Sequence, residues 1–477
     1  MNKHNYENIK QTVRRLESIL QIVTLAVVYY LVWRYSYPTV ERVERPYSGF
    51  FPTYYGNGKY VLMFIYAFLS VILFHLTECF QYGHQKLSHI FVSQVISVII
   101  INVITYFQLS LIANVLISFV PILILTGADI ILCLLFCILF TVIYHHMYVP
   151  KNMVMIYGHD DAVTLKFKMD TRSDKYKVTK VLPSTLDNEI LFKEMLSHDA
   201  VIINDIPAER RNDILKFCYG NSIRTYVIPK ITDIIIRGAD DVTLFDTPLF
   251  LVKGMALSPT EAFTKRAFDI VLSLIALIIA SPFMLITALA IKLEDHGPVF
   301  FKQERVTIHG KRFNILKFRS MIVDAEKSGM SIPATGKDPR ITKVGRIIRA
   351  TRFDELPQIL NILAGQMSWV GPRPERTEHV IKYTEEIPEF AFRQKVKGGL
   401  TGYAQIYGKY NTSAYDKLRL DLIYIEDYSL ILDLKLLLMT IRIIFSKEST
   451  EGFEMQEELE RKKQELLAGQ EIRELLP

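Results

Sequence analysis

Two adjacent carboxylates, Asp354 and Glu355, lie in the segment RATRFDELPQILNILAGQMSWVGPRP, which also carries arginines on both sides of the pair. A carboxylate that attacks phosphorus forms an acyl phosphate, a known kind of covalent catalysis. A neighbouring carboxylate can bind Mg²⁺, which takes few carboxylates together with oxygens of a substrate phosphate. The pair therefore predicts phosphate chemistry, with Asp354 and Glu355 as catalytic residues and as ligands of Mg²⁺.

The arginines around the acidic pair strengthen this prediction. Arg349 precedes Asp354 in the same segment, and Arg373 lies in a Gly-Pro-Arg-Pro loop that Pro372 stiffens. A guanidinium binds phosphate oxygens with two hydrogen bonds and neutralises charge that develops during transfer. Each arginine taken alone fits a structural ion pair equally well. Further basic candidates for phosphate binding are Lys317, Arg319 and Arg340.

The acidic pair is expected at the start of a helix. Pro357 suits a first helical turn, and the apolar residues after it recur at helical spacing. A helix N-terminus attracts anions, so a phosphate is expected beside Asp354. The alternative is that Asp354 only caps this helix and that Glu355 only interacts with its dipole.

Composition places this chemistry at a membrane. Half of the 477 residues are hydrophobic and the mean hydropathy is +0.20, as in partly membrane-embedded proteins. The formal charge of +6 suits an anionic lipid surface but is too small to indicate nucleic acid. The four cysteines show no zinc spacing and no disulfide framework, which fits a reducing cytosol. The polar N-terminus does not resemble a cleaved signal peptide.

Four apolar segments in the first third of the chain are each close to the length needed to cross a bilayer. Basic residues at the outer ends of the first and fourth segments predict that both ends are cytoplasmic, although the basic loop 35–59 opposes this orientation. Residues 1–150 are therefore predicted to form a four-helix transmembrane bundle. The segments are 19–33, 60–76, 90–112 and 119–144.

Residues 151–255 alternate short apolar strands with polar helices, which predicts a parallel, doubly wound (Rossmann-like) α/β domain. Its first turn, after Tyr157, has only one of the glycines that a dinucleotide site needs. A structural or regulatory role is therefore favoured over NAD binding. The predicted strands are Met153–Tyr157, Lys177–Leu182, Ala200–Asn204, Arg224–Ile228 and Leu249–Val252.

A fifth apolar run, 268–291, is long enough to span the membrane, but Ser281 and Pro282 interrupt it. Proline removes a helical hydrogen bond, so a bend is expected there. A full crossing would place everything after 292 on the outer side. A re-entrant helix with both ends on the cytoplasmic face is therefore preferred to an ordinary kinked span. Leu430–Phe445 is expected to lie along the interface, and 447–477 is expected to be a charged helical tail.

Several ordered blocks between Lys265 and Phe445 make this region resemble the bacterial sugar transferases, which are polyprenyl-phosphate glycosyl-1-phosphate transferases. The four apolar segments and the α/β pattern before it resemble the large members of the family. The blocks are KRAFDIVLSLIALIIASPFMLITALAIKLEDHGPVFFKQERV, GKRFNILKFRSM, DPRITKVGRIIRATRFDELPQILNILAGQMSWVGPRPE, GLTGYAQ and DLKLLLMTIRIIF.

The resemblance implies a catalytic α/β domain over 262–446, anchored by the re-entrant helix 268–291. It implies transfer of a sugar 1-phosphate from a UDP-sugar to undecaprenyl phosphate, with release of UMP and a requirement for Mg²⁺. The residue matching the family's nucleophile is Asp354, which would carry the phosphosugar, and Glu355 matches the acidic partner associated with the metal. Arg349 and Arg373 match phosphate-contacting positions.

The resemblance also implies a multi-pass protein of the bacterial cytoplasmic membrane with a cytosolic catalytic domain. The product would initiate a glycan of the exopolysaccharide, capsule or O-antigen type, and a homodimer is a family-based expectation. Residues 403–416 are predicted to set the sugar preference. One alternative is a membrane sensor whose α/β domain binds a ligand. Another is an enzyme whose N-terminal half serves only as a scaffold.

Overall fold

The computed structural model describes residues 3–36, 52–82, 85–147, 149–158, 162–323, 338–408, 412–445 and 461. Its contacts divide the chain into two compact units, residues 1–228 with 457–477 and residues 229–456. The predicted tail helix 447–477 lies, except for Arg461, outside the described residues, as do Arg42 and Arg45 of the first predicted loop.

The first unit begins with long apolar helices, as the hydropathy pattern predicts. By length and composition, five helices of the described chain could cross a membrane, four of them in this unit and one in the second. The prediction of several apolar helices at the N-terminus is confirmed. The four helices are α1 (Lys3–Ser36), α2 (Pro52–Leu76), α3 (Leu87–Ala113) and α4 (Val120–Met147).

Polar side chains join three of these helices inside the unit. The Asp129 carboxylate of α4 lies 2.8 Å from the Tyr66 hydroxyl of α2, and it accepts a hydrogen bond from Asn102 Nδ2 of α3 at 3.1 Å. All three side chains are buried. Because polar groups away from water are costly without hydrogen-bond partners, this network favours one register of the three helices.

The second part of the first unit is a parallel sheet flanked by helices. The strands are β1 (Lys151–Tyr157), β2 (Tyr176–Pro183), β3 (Ala200–Asn204) and β4 (Arg224–Val227), and the helices are α5 (Ala162–Asp170), α6 (Asn188–Ser197) and α7 (Ala208–Gly220). The strand order is β2-β1-β3-β4, and all neighbours are parallel. Met153 and Met155 enter one hydrophobic core, whereas Val154 and Ile156 enter the other. Both faces are thus covered, as parallel sheets require, and the predicted parallel α/β fold is confirmed.

The fifth predicted strand, Leu249–Val252, does not join this sheet. A strand is present at Thr247–Leu251, but it pairs antiparallel with Asp240–Leu244 in the second unit. Only Phe245 and Asp246 connect the two strands, and Phe245 has the left-handed backbone (φ 55°) that tight hairpin turns use. A two-residue turn can join only antiparallel strands, so Thr247–Leu251 pairs with Asp240–Leu244 in a hairpin.

The second unit mixes helices with three two-stranded sheets among its described residues. The hairpins β5-β6 and β7-β8 are antiparallel, and β9-β10 is parallel. The elements are α8 (Ile231–Arg237), β5 (Asp240–Leu244), β6 (Thr247–Leu251), α9 (Pro259–Asp295), β7 (Phe300–Val306), β8 (Arg312–Phe318), α10 (Lys343–Ala350), α11 (Gln358–Leu363), β9 (Ser368–Val370), α12 (Thr377–Glu386), β10 (Gly399–Thr401), α13 (Tyr403–Tyr407), α14 (Ala414–Glu426) and α15 (Leu430–Phe445), with 3₁₀ turns at Ile308–Gly310, Phe353–Glu355 and Pro388–Lys395.

Helix α9 continues without interruption through Pro282. Proline has no N–H to donate to the Ile278 carbonyl, but the Ser281 hydroxyl donates to that oxygen at 2.9 Å. The serine thus replaces the hydrogen bond that the proline removes. The buried residues of α9 recur on one face over its length, and its other face exposes aliphatic side chains. The buried residues are Lys265, Asp269, Ser273, Ala280, Thr287 and Ile291.

A buried ion pair ties the start of α9 to α15. Lys265 Nζ lies 2.6 Å from Asp433 Oδ2, and both side chains are at least nine-tenths buried. The Tyr424 hydroxyl lies 2.8 Å from Asp433 Oδ1 and 3.1 Å from the Val370 carbonyl. On α15 the aliphatic residues Ile431 and Leu434 are exposed, whereas the charged residue Asp433 is buried. This arrangement is the reverse of that in an ordinary amphipathic helix, whose apolar residues are buried.

Replacing Lys265 with Met is expected to lower the free energy of unfolding by about 3–5 kcal/mol, because Asp433 then remains buried without its counter-charge. The Lys265→Met/Asp433→Leu double variant should regain most of this loss, since an apolar pair of similar volume needs no desolvation of charge. Urea unfolding in detergent micelles measures both variants. Equal destabilisation of the single and the double variant would contradict the expected coupling.

Candidate active site

The acidic pair lies in a 3₁₀ turn between two helices. α10 ends at Ala350, and Arg352 then adopts the left-handed conformation (φ 60°, ψ 15°) that redirects the chain. The turn Phe353–Glu355 follows, and its Glu355 N–H donates to the Arg352 carbonyl at 3.2 Å. Pro357 is the N-cap of α11 and not a residue of its first turn. The acidic pair therefore precedes the helix start that the sequence places close to it.

Asp354 does not cap a helix in this structure. Neither the 3₁₀ turn nor α11 has a side-chain capping hydrogen bond. Burial raises the pKa of Asp354, and the adjacent charge of Glu355 adds to this shift, whereas Lys317 and the arginines Arg352 and Arg349 oppose it. A partly desolvated carboxylate surrounded by cations is suited to act as a nucleophile. The capping alternative loses its main support.

Glu355 has a different environment from its neighbour. Lys317 Nζ donates to Glu355 Oε1 at 3.0 Å, and Arg373 Nη2 donates to the same oxygen at 2.9 Å. Burial alone would raise the pKa of Glu355, but the charges of Arg373 and Lys317 outweigh it and hold the pKa well below its usual range. Glu355 is therefore ionised at all working pH values and gathers two cations beside Asp354.

The loop that carries Arg373 is packed closely against β10 and against Lys397, which precedes it. The Gly371 N–H donates to the Thr401 carbonyl, and the Gly399 N–H donates to the Pro372 carbonyl, each at 2.9 Å. A Cβ added at Gly371 would lie 2.4 Å from the Lys397 carbonyl oxygen, so no larger residue fits without movement of the backbone. These contacts hold the backbone at Gly371 and Pro372, next to Arg373.

The structure separates the predicted basic residues into two groups. Lys317 and Arg373 meet at Glu355, and the charge of Arg349 lowers the pKa of Asp354. Arg319 forms its ion pair with Asp295 at the end of α9. Arg340 likewise pairs with a carboxylate of its own, that of Asp338, at 2.6 Å. These two arginines are thus engaged outside the acidic pair.

Sequence reasoning missed two arginines that act on this site. Arg352 is exposed, and its charge acts on both carboxylates of the acidic pair. Its position directly before Phe353-Asp354 was the available signal. Arg393 donates to the backbone carbonyl of Arg373 at 3.1 Å. Its distance along the chain from the acidic pair gave no comparable signal.

The residues at the site fit a magnesium ion bound together with a phosphate. Within the described residues, no group of three His, Cys, Asp or Glu side chains is arranged to hold a metal. Mg²⁺ does not need such a cage, because it binds through one or two carboxylates plus substrate oxygens. Lys317 and Arg373 both donate to Oε1 of Glu355. The Oε2 atom of Glu355 and the carboxylate of Asp354 therefore remain as oxygen ligands for the metal ion.

The site adjoins the middle of α9. The Phe283 ring, next to Pro282, makes an edge-to-face contact with Phe353 at 5.8 Å between ring centres. Phe353 directly precedes the acidic pair, and it packs with Leu356 against a core formed by α9, β8 and α10. The site thus combines a partly desolvated carboxylate, a neighbouring carboxylate that binds two cations, and an adjacent apolar helix. This combination suits phosphoryl transfer to a lipid.

Comparison with known proteins supports this assignment. The family model for bacterial sugar transferase matches residues 260–447. An Aeromonas hydrophila protein named UDP-N-acetylgalactosamine-undecaprenyl-phosphate N-acetylgalactosaminephosphotransferase is 44% identical over 192 residues, which are 40% of this chain and 45% of that protein. A Klebsiella pneumoniae protein named UDP-glucose:undecaprenyl-phosphate glucose-1-phosphate transferase is 36% identical over 290 residues, which are 59% of this chain and 60% of that protein. The match thus spans about half the length of each of these two relatives.

A shorter relative is matched over most of its length. The Bacillus subtilis (strain 168) protein named uncharacterized sugar transferase EpsL is 41% identical over 184 residues, which are 39% of this chain and 88% of that protein. Residues 260–447, which the family model matches, hold the acidic pair, both of its cations and all of α9 but its first residue. The chain therefore belongs to the bacterial sugar transferase family.

Proposed function

We propose that this protein transfers a sugar 1-phosphate from a UDP-sugar to undecaprenyl phosphate and releases UMP. The observation that carries the proposal is the pairing of a partly desolvated Asp354 with a Glu355 that holds Lys317 and Arg373. The names of the relatives supply the two substrate classes, since both long relatives are named for undecaprenyl phosphate and a UDP-sugar. The product would initiate a glycan of the exopolysaccharide, capsule or O-antigen type.

The reaction has two displacement steps at one phosphorus. An Asp354 oxygen attacks the β-phosphorus of the UDP-sugar, the bond from that phosphorus to the bridging oxygen breaks, and UMP leaves. A phosphate oxygen of undecaprenyl phosphate then attacks the same phosphorus and displaces the Asp354 carboxylate. The lipid diphosphate sugar leaves, and the carboxylate is regenerated. One phosphoanhydride replaces another, so the protein mainly positions groups and stabilises charge.

The cations of the site oppose the charge of the substrates. Lys317 and Arg373 share one oxygen of Glu355, so each retains donors for phosphate oxygens. When bound, Mg²⁺ would be held by Glu355 and Asp354 and would neutralise the diphosphate oxygens. Loss of UMP release in EDTA, restored by added Mg²⁺, tests this part of the proposal.

We further propose that α9 enters the membrane and returns on the same side. Near its start, Asp269 accepts a hydrogen bond from Ser368, and at its end Glu294 accepts one from the Lys343 N–H at 2.7 Å. Both ends thus contact the unit that holds Asp354. A crossing helix would separate its ends by a hydrocarbon core of about 30 Å. Exposed aliphatic residues of α9 would meet lipid, among them Leu274, Ile275, Ile278, Ile279, Leu285 and Ile286.

Membrane topology is part of the same proposal. Helices α1 to α4 would cross the bacterial cytoplasmic membrane four times, with the catalytic module 262–446 on the cytosolic side, where UDP-sugars occur. Phe263→Cys and Leu293→Cys, both at exposed positions at opposite ends of α9, should then be labelled by a membrane-impermeant maleimide from the cytosolic side only. Labelling of the two positions from opposite sides would show a crossing helix.

The test of the proposed reaction is UMP release by the purified full chain from a panel of UDP-sugars, with and without undecaprenyl phosphate, in Mg²⁺. Release from one donor that depends on the lipid would establish the reaction and name the sugar. No release from any donor by folded protein in nanodiscs would favour the sensor alternative. Exchange of segment 403–416 with that of a relative then tests whether it sets sugar preference; residues 409–411 of it lie outside the described residues.

The pH dependence of the first step follows from the environment of Asp354. The carboxylate must be ionised to attack, and its pKa is raised, so kcat/KM for the UDP-sugar should fall as the pH drops through a value above the usual aspartate pKa of about 3.9. Lys317 lowers that pKa. In Lys317→Met the acidic limb should therefore move to higher pH, as measured by UMP release in a single turnover. An unmoved limb would contradict the role given to Lys317.

A further inference from the structure

The loop that carries Arg373 is held through its backbone carbonyls. Four consecutive carbonyls, from Pro372 to Glu375, each accept one hydrogen bond. The donors are Gly399 N–H to Pro372 O (2.9 Å), Arg393 Nη2 to Arg373 O (3.1 Å), Arg305 Nη1 to Pro374 O (3.1 Å) and Val306 N–H to Glu375 O (3.1 Å). The carbonyl of the functional arginine is thus the one held by Arg393.

Arg393 is itself fixed by a buried carboxylate. Its Nε and Nη2 donate to Asp421 Oδ2 at 2.9 and 2.6 Å, and its guanidinium lies over the Phe390 ring at 4.8 Å. Arg393 is 6% exposed and Asp421 is 1% exposed. A buried ion pair with two hydrogen bonds has one favourable geometry. The Arg393 Nη2 atom, which donates to the Arg373 carbonyl, is therefore held in a fixed position.

We propose that Arg393 is a positioning residue that aligns Arg373 for phosphate binding; this inference rests on the proposed function. The backbone of Arg373 is held by Arg393 on one side, and its side chain reaches Glu355 at 2.9 Å on the other. Among the described residues, the hydrogen bonds of Arg393 go to Asp421 and the Arg373 carbonyl, and none goes to the acidic pair. Arg393 therefore acts through Arg373 and not on the substrate.

The competing explanation is that Arg393 only stabilises the fold, because it lies beside the core that contains Phe390 and Leu418. The two explanations differ in coupling. A residue that aligns Arg373 has little left to contribute once the Arg373 side chain is removed, whereas a purely structural residue affects both backgrounds alike. Effects of residues that act as a unit do not multiply, so a double-mutant cycle separates the two cases.

The experiment compares UMP release by Arg393→Gln, Arg373→Ala and the double variant, using the donor that the wild type accepts. Arg393→Gln is expected to lower kcat about 100-fold, because a displacement of about 1 Å in a group that positions the substrate, here the Arg373 guanidinium, can have an effect of this size. In the Arg373→Ala background, the same change should alter kcat by less than about threefold. Full multiplication of the two effects would overturn the proposal.

Leu418→Ala is the matched control for stability. The Leu418 side chain is buried in the core that also contains Phe390, but it is aliphatic and forms no hydrogen bond or cation–π contact with Arg393. Leu418 also lies outside the acidic pair and its cations. The variant is expected to lower the thermal midpoint while kcat stays within about threefold. A loss of kcat in Leu418→Ala equal to that in Arg393→Gln, at equal thermal shift, would assign both effects to stability alone.

A second readout needs no turnover. The Gly371 and Gly399 amides donate to the Thr401 and Pro372 carbonyls. They should exchange hydrogen for deuterium faster in Arg393→Gln but at the wild-type rate in Leu418→Ala. Unchanged exchange in Arg393→Gln would overturn the proposal. If the wild type releases no UMP from any donor, the proposed function fails, while this exchange result still decides whether Arg393 holds the loop.

Discussion

Replacing Asp354 with asparagine is expected to lower kcat for UMP release by a factor on the order of 10⁴ or more, as loss of a covalent nucleophile does. The amide is neutral and nearly the same shape, so Lys317 and Arg373 keep their contacts with Glu355. The loss should therefore appear in kcat with folding unchanged. Steady-state UMP release and the thermal midpoint of the same preparations measure the two quantities.

A single turnover without undecaprenyl phosphate distinguishes nucleophile from base. With donor labelled in the sugar, the wild type should release UMP and keep the label on a peptide containing Asp354, bound as an acyl phosphate that hydroxylamine removes. Asp354→Asn should keep no label. Asp427→Asn, in an exposed ion pair with Arg237, is the matched control and should behave as the wild type. Wild-type UMP release by Asp354→Asn would leave Asp354 without a catalytic role.

The two adjacent carboxylates have different environments, which supports the different roles proposed for them. Burial raises the pKa of Asp354, whereas Arg373 and Lys317 hold that of Glu355 low despite its burial. Titratable neighbours pushed in opposite directions are typical of catalytic pairs. Glu355 stays charged and anchors cations, while Asp354, relieved of direct hydrogen bonds to those cations, can approach phosphorus. This division explains why a transferase would keep two acids where one attacks.

The sequence predicted what depends on neighbours along the chain. Asp354 and Glu355 are adjacent in any fold, and the Gly-Pro-Arg-Pro loop restricts itself, so Arg373 could be named as a partner. Which carboxylate forms an ion pair with a buried arginine depends on the packing of elements that are far apart in sequence. Arg319 pairs with Asp295 across the end of α9, and no local pattern indicates this. The same holds for Arg393, because its partner lies on another helix.

The fold shows the same difference between what local sequence patterns predict and what distant contacts decide. Strand β3 is a buried, nearly continuous apolar run, so the predicted strand Ala200–Asn204 has the same bounds in the structure. The sheet to which Thr247–Leu251 belongs could not be assigned, because Phe245-Asp246 lacks the Asn-Gly or Asp-Gly pattern that indicates a hairpin. The left-handed backbone of Arg352 was equally hidden, since arginine rarely adopts it.

Replacing Arg373 with alanine is expected to lower kcat by about 10²–10³-fold, the size found when one donor to a developing anion is removed. In the free protein Arg373 bonds to Glu355, and a diphosphate arriving beside Asp354 would receive its remaining donors. Glu355 should stay ionised through Lys317, so the fold of the site persists. Arg373→Lys should fall between wild type and alanine, because an ammonium keeps the charge but loses the planar pair of donors. Equal kcat for lysine and wild type would show that charge alone suffices, and the rigidity imposed by Pro372 and the loop's hydrogen bonds would then need another explanation.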